Sequence, residues 1–198
     1  MKKFLVFLLS AASLLPLVSC SGTGKAPSKD ALFQTVCSAD EALAQAKTAD
    51  AVVFEGMRCT SGNDVWDAFS QAVGDQTPAS VLCAHYYVLN RESMSEELYE
   101  EEKDQYPKLF FYLVEYDGSA YTVTIRQSTE ETASDPEAFA YLLHFTGAAP
   151  STATFSSYEY YVLVDDPTAT WDGIMAGLLS SQSDAGLRHC TVYKNIFD

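Results

Sequence analysis

Residues 108–127 read KLFFYLVEYDGSAYTVTIRQ, and this stretch decides the fold. Asp117-Gly118 stands between two runs rich in aromatic and β-branched residues. Asp-Gly is among the strongest short hairpin signals, because both central positions of a type I′ turn require positive φ. In the second arm Tyr121, Val123 and Ile125 alternate with Thr122, Thr124 and Arg126. That period of two predicts a strand with one dry face and one face in water.

The same logic extends outward from the hairpin. Val81–Leu89 (VLCAHYYVL) is apolar at both parities, which predicts a central strand covered on both sides. Phe139, Tyr141, Leu143 and Phe145 alternate, as do Tyr158, Tyr160, Val162 and Val164, and Leu187–Lys194 supplies a last strand. Nearer the ends the period changes to that of a helix. Ser38-Ala39-Asp40-Glu41 is a capping box, with Ala39, Ala42, Leu43 and Ala46 on one face of a short helix after it. Ala51–Phe54 is a brief strand, and Gly56 lies in a loop leading to a second N-cap candidate, Ser61. Val65, Trp66, Phe69, Ala72 and Val73 follow at helical spacing, with Trp66 as a core anchor and Gly74 closing the helix. Asp166-Pro167 ends a strand, and Thr168 or Thr170 then caps a helix carrying Trp171, Ile174, Met175, Leu178 and Leu179 on one side. The expected class is α+β: a mainly antiparallel sheet of about five to six strands, with helices near both ends packed on one face.

Composition separates the functional classes. The chain is 47% hydrophobic, above the range of disordered sequences, so it has the means to form a real core. Its net charge of −15 lacks the lysine and arginine clusters that phosphate binding needs, so a nucleic-acid partner is not expected.

The first residues have a separate job. Lys2 and Lys3 precede an apolar stretch, Phe4–Leu9 and Ala11–Val18, that ends in Leu17-Val18-Ser19-Cys20. A cationic flank, an apolar core and small residues before a cut make a secretory signal, too short for a comfortable membrane span. The final four residues resemble the lipobox of bacterial lipoproteins. That resemblance implies a diacylglycerol thioether on Cys20, cleavage just before it, and attachment to a cell membrane on the side outside the cytoplasm. Ser21–Asp30 (SGTGKAPSKD) reads as a flexible tether. The expected organisation is a signal peptide over 1–19, a tether over 20–30 and one globular domain over 31–198.

Chemistry-bearing residues are sparse. Glu92, Glu96, Glu97, Glu100, Glu101, Glu102 and Asp104 crowd a segment that is expected to be a solvated face, docked by Tyr99, Lys103 and Tyr106. It lacks the alternating oxygen ligands and glycine turn of a calcium loop. Cys83 and His85 stand at i and i+2, on one side of a strand, where a thiolate and an imidazole are able to share a metal. His189 and Cys190 are adjacent in another strand, so only one of them is expected to join. No CxxC or HxxxH spacing reinforces a metal, and neither a metal nor a cofactor is expected. Cys37, Cys59, Cys83 and Cys190 form an even set that allows disulfides outside the cytoplasm, or thiols acting as small apolar groups. His85, His144 and His189 are potential catalytic bases, yet G-x-S-x-G, S-x-x-K, HExxH and phosphate-loop patterns are missing.

Tyrosines remain. Tyr158, Tyr160 and Tyr161 fall on both faces of one strand and are the candidate ligand-contacting residues, since tyrosine offers a broad apolar face with a polar tip. The expected function is a lipid-anchored, non-catalytic binding module for an unknown extracytoplasmic ligand or protein. The alternative is a cell-surface hydrolase with a site assembled from scattered histidine, serine and acidic residues.

Overall fold

The computed structural model describes residues 26–179 and 186–198. Cys20 and the signal segment lie outside the described residues. The domain is α+β, with a six-stranded mixed sheet and a three-stranded antiparallel sheet.

The chain enters through α1 (Lys29–Gln34), where the Ser28 hydroxyl accepts from the Ala31 N–H. The expected tether therefore ends before Asp30, and Lys29 is already fastened to the Ser80 carbonyl and hydroxyl. Helix α2 (Ala39–Ala46) opens on the capping box read from the sequence, with both Ser38 and Glu41 contacts formed. Strand β1 (Val52–Glu55) turns at Gly56 into β2 (Arg58–Ser61), a strand where a loop was expected. Helix α3 (Asn63–Gly74) follows. Its N-cap is Gly62 rather than Ser61, because the chain enters the helix at φ +81°. A β-carbon there would sit 2.2 Å from the Ala51 carbonyl oxygen.

Strand β3 (Ala79–Tyr87) pairs in parallel with β1 and antiparallel with β4 (Lys108–Tyr116). Between β3 and β4 runs the short acidic helix α4 (Glu96–Glu102), which buries no residue of its own. Tyr99, Lys103 and Tyr106, expected to dock it, line a small hollow together with Val88, Leu89 and Pro107. Strands β4 and β5 (Tyr121–Gln127) form the expected hairpin, with Tyr116 opposite Tyr121. Its turn is longer than a type I′ pair. Only Gly118 takes positive φ, and the Asp117 carboxylate instead accepts from the Ser119 and Ala120 N–H groups.

Strand β6 (Glu137–Phe139) completes the large sheet, in the order β2-β1-β3-β4-β5-β6. The stretch read as one strand through Phe145 is divided between two strands at Ala140. Here the chain leaves the first sheet, and β7 (Tyr141–Ala148), β8 (Ser157–Val164) and β9 (His189–Phe197) make the second. Between β8 and β9 lies α5 (Trp171–Leu179), capped by the Thr170 hydroxyl, which accepts from Gly173 N–H.

The helices do not gather on one face. On one side of the large sheet, α1 and α2 bury Leu32, Phe33, Ala42 and Ala46 against Val53, Leu82, Leu109 and Phe111. On the other, Trp66 and Phe69 of α3 share a core with Val52, Phe54, Val81, Val114 and Val123 and with Leu163, Val192 and Tyr193 of the small sheet. The outer face of the small sheet is closed by Ile174 and Trp171 of α5. Arg126, expected in water, is buried beneath α1 and donates to the carbonyls of Phe33, Thr35, Gln127 and Glu130. Among the described residues no helix is long and apolar enough to cross a membrane.

Candidate functional site

The two sheets do not close completely on each other. Beyond the shared core, a cavity of about 350 Å³ remains between β3–β6 and the start of β9. Its floor carries His85 and Tyr87 of β3, Tyr112 of β4, and Val123 and Ile125 of β5. Residues at i and i+2 point to one side of a strand, and Tyr112 stands opposite Ile125 in the β4–β5 register, so these side chains meet on one face. Glu137 of β6 stands at the rim, and His189, Cys190, Thr191 and Lys194 of β9 form the facing wall.

His85 is 1% exposed. Its ring stacks on Phe54 at 4.6 Å and leans on Tyr112 at 4.4 Å. Both ring nitrogens are buried without a well-formed hydrogen bond among the described residues. Burial, reinforced by the charge of Lys194, holds the imidazole neutral far below its ordinary range, and the nearby Val192 backbone offsets this only in part. Lys194 is 6% exposed, lies over the Tyr87 ring at 4.4 Å and donates to the Tyr87 hydroxyl at 2.9 Å. Loss of hydration brings its ammonium pKa down to about 8. Among the described residues no carboxylate lies within ion-pair distance of it. Burial pushes the Cys190 thiol up to about 12, and Glu137 adds to the effect, so this sulfur is an inert wall and not a nucleophile at neutral pH.

Next to the cavity on the same sheet face is a second depression of about 420 Å³, bounded by Tyr106, Lys108 and Phe110. Tyr87, Tyr112 and Ile125 line both. Wider hollows of about 630 and 610 Å³ occur elsewhere, but they are shallower. In one of them Lys29 is already engaged with Ser80. The smaller cavity is where a buried ammonium without a counter-ion among the described residues meets an apolar lining, the arrangement typical of ligand sites.

The residues singled out from the sequence fare differently. His85, His189 and Cys190 meet at this cavity. His189 and Cys190 both line it although strand neighbours face opposite ways, because they occupy the first two positions of β9. Cys83 lies below them, in the core. Among the described residues, no three of His, Cys, Asp and Glu form a group able to hold a metal ion. Cys59, Cys83 and Cys190 carry free thiols, packed as small apolar groups. His144 is on the surface, stacked on Tyr161 and 2.8 Å from the Glu159 carboxylate, remote from the cavity lining. His189 Nδ1 contacts the Leu187 carbonyl oxygen at 2.7 Å.

Tyr158, Tyr160 and Tyr161 do not share one surface. Tyr158 and Tyr160 pack on the Trp171 ring of α5, and Tyr160 is only 6% exposed. Tyr161 points the other way, between Trp66, Tyr193 and His144. Sequence reasoning passed over Lys194, which sits in a strand where an alternating lysine reads as a water-facing residue.

Comparison with known proteins finds no matching family model, no matching curated protein and no matching solved structure.

Proposed function

We propose that this protein is a lipid-anchored lipoprotein acting outside the cytoplasm, and that its α+β domain is a non-catalytic binding module whose site is the cavity between the two sheets. The single observation that carries the binding part is Lys194, an ammonium buried in the cavity lining with no carboxylate within ion-pair distance among the described residues. A buried donor without a partner costs roughly 1–3 kcal/mol, which a ligand accepting there would return. The anchor rests on Leu17-Val18-Ser19-Cys20 and on the acidic composition, which leaves membrane attachment to the lipid rather than to charged headgroup contacts.

A binding role fits the histidines better than a hydrolase does. His144 is paired with a carboxylate and has no nucleophile hydrogen-bonded to it among the described residues, and His189 faces a backbone carbonyl. His85 and Cys190 share the cavity, but both are held neutral.

Two measurements test the reading. Mass spectrometry of the native protein is expected to find a mature N-terminus at Cys20 carrying diacylglycerol. An intact leader or an unacylated terminus overturns the anchor. Chemical-shift mapping of a small-molecule library on the mature chain is expected to move Val123, Ile125 and Thr191 together. Hits scattered away from these residues overturn the cavity as the site.

A further inference from the structure

We infer that the cavity between the sheets recognises a small organic monoanion, a carboxylate with an apolar or aromatic body, by seating the carboxylate on Lys194 beside Tyr87. This rests on the reading of the cavity as the binding site and gives it a ligand class.

The argument starts from what the cavity lacks. Lys194 donates to the Tyr87 hydroxyl, and its other N–H groups have no acceptor among the described residues. An ammonium has three donors and no acceptor, so the missing partner is an acceptor. His85 adds a neutral ring to the wall, its nitrogens sealed from water and facing the Val192 backbone, so the lysine is left as the donor to a ligand. Two N–H groups left over on one buried ammonium call for an atom group that accepts twice, as the two oxygens of a carboxylate do. The positive charge of Lys194 has no counter-ion within the described protein, so a negatively charged acceptor is favoured over a neutral one.

The rest of the lining limits the body and the charge of the ligand. Tyr87, Tyr112 and Ile125 line the cavity beside Lys194, and offer ring faces and methyl groups to an apolar body. Glu137 at the rim carries negative charge, partly engaged by Arg188 at 3.5 Å. It disfavours a second anionic group at the mouth. One charge inside and an apolar remainder satisfy both conditions.

The test is calorimetric titration of the full mature chain in detergent micelles with acetate, butyrate, benzoate and phenylacetate, and with neutral benzyl alcohol for comparison. At least one carboxylate is expected to bind at least tenfold more tightly than benzyl alcohol. Lys194→Met is expected to remove that advantage while leaving benzyl alcohol binding within about twofold. Ile125→Trp, which keeps Lys194 and fills the cavity beside it, is expected to abolish binding of both. No binding by any of the four carboxylates, or equal binding of anion and alcohol in wild type and Lys194→Met, overturns the anion reading. In the second case loss of all binding in Ile125→Trp keeps the cavity as the site. Carboxylate binding that survives Ile125→Trp overturns the cavity itself.

Discussion

Phe54 and His85 lie face to face across the parallel strands β1 and β3, their ring centroids 4.6 Å apart and their planes 12° from parallel. The contact treats the imidazole as an aromatic hydrocarbon, and burial keeps it neutral. The unfolded chain takes a proton at His85 near pH ~6.5, while the folded chain refuses it until far lower pH. Below about pH 6.5 the unfolded state therefore binds more protons, and stability falls as pH falls, by up to ~1.4 kcal/mol per pH unit. His85→Phe keeps the stack and removes the proton. Urea unfolding at pH 7.5, 6 and 5 is expected to show His85→Phe gaining on wild type only at the two lower values. A gap independent of pH would contradict this.

Lys194 has the opposite pH window. Burial brings its pKa from 10.5 to about 8, so at neutral pH the folded protein holds a charge it would hold more easily in water. The difference corresponds to roughly 3 kcal/mol, and loss of the bond to Tyr87 offsets about 1 kcal/mol of it. Lys194→Met is expected to stabilise the protein by ~1–2 kcal/mol at pH 7. Between pH 8 and 10.5 the unfolded wild type keeps a proton that the folded state has shed, so wild-type stability rises with pH relative to the variant. The advantage of the methionine should shrink across that window. The surrounding groups, His85, Tyr87, Tyr112, Glu137, His189 and Cys190, are common to both proteins, so the comparison isolates the lysine. Denaturation curves for the pair at pH 7, 8.5 and 10 provide the check.

Gly62 and Gly74 bound the same helix and should respond with opposite sign. Gly62 sits at φ +81° with the Ala51 carbonyl where a methyl would go. Gly62→Ala is expected to cost about 2–4 kcal/mol, from left-handed strain and the steric clash together. Gly74 has open space around it, so Gly74→Ala is expected to gain up to ~1 kcal/mol from helix propensity. Melting temperatures of the two variants decide the point.

Much of this fold was legible because local chemistry and tertiary packing agree. The capping box at Ser38 and Glu41, the hairpin across Asp117-Gly118 and the Trp66–Phe69 face of α3 each satisfy their own backbone or apolar needs nearby. What escaped depends on distant partners. Strand β2 is short and polar, and is held in part by Asn195, whose side-chain carbonyl accepts from the Cys59 N–H. The exchange of sheets at Ala140 leaves the residue alternation untouched, so the sequence carries no mark of it. The site was half legible. His85 and Cys190 stood out as chemical groups, but Lys194 acquires its character only where β9 lies over Tyr87, a residue far away in sequence.

Arg126 extends that lesson into a measurable claim. Its guanidinium is buried between the Phe33 and Phe111 rings, and in place of a carboxylate it meets the carbonyls of Phe33, Thr35, Gln127 and Glu130. These carbonyls end α1 and form the turn after β5, so one side chain joins two segments with no strand pairing between them. Removing it leaves several buried acceptors unpaired, each costing roughly 1–3 kcal/mol where water does not enter. Arg126→Met is expected to lower stability by about 3–5 kcal/mol. Lysine retains the charge but brings a single ammonium in place of a planar fork, so Arg126→Lys should recover less than half of the loss. Because the bond is local to α1, the loss should show first as opening of that helix: hydrogen exchange at Leu32 and Phe33 should speed up in Arg126→Lys before that at Leu82 and Phe111. Uniform acceleration across the domain would mean that Arg126 contributes only to global stability and does not fasten α1.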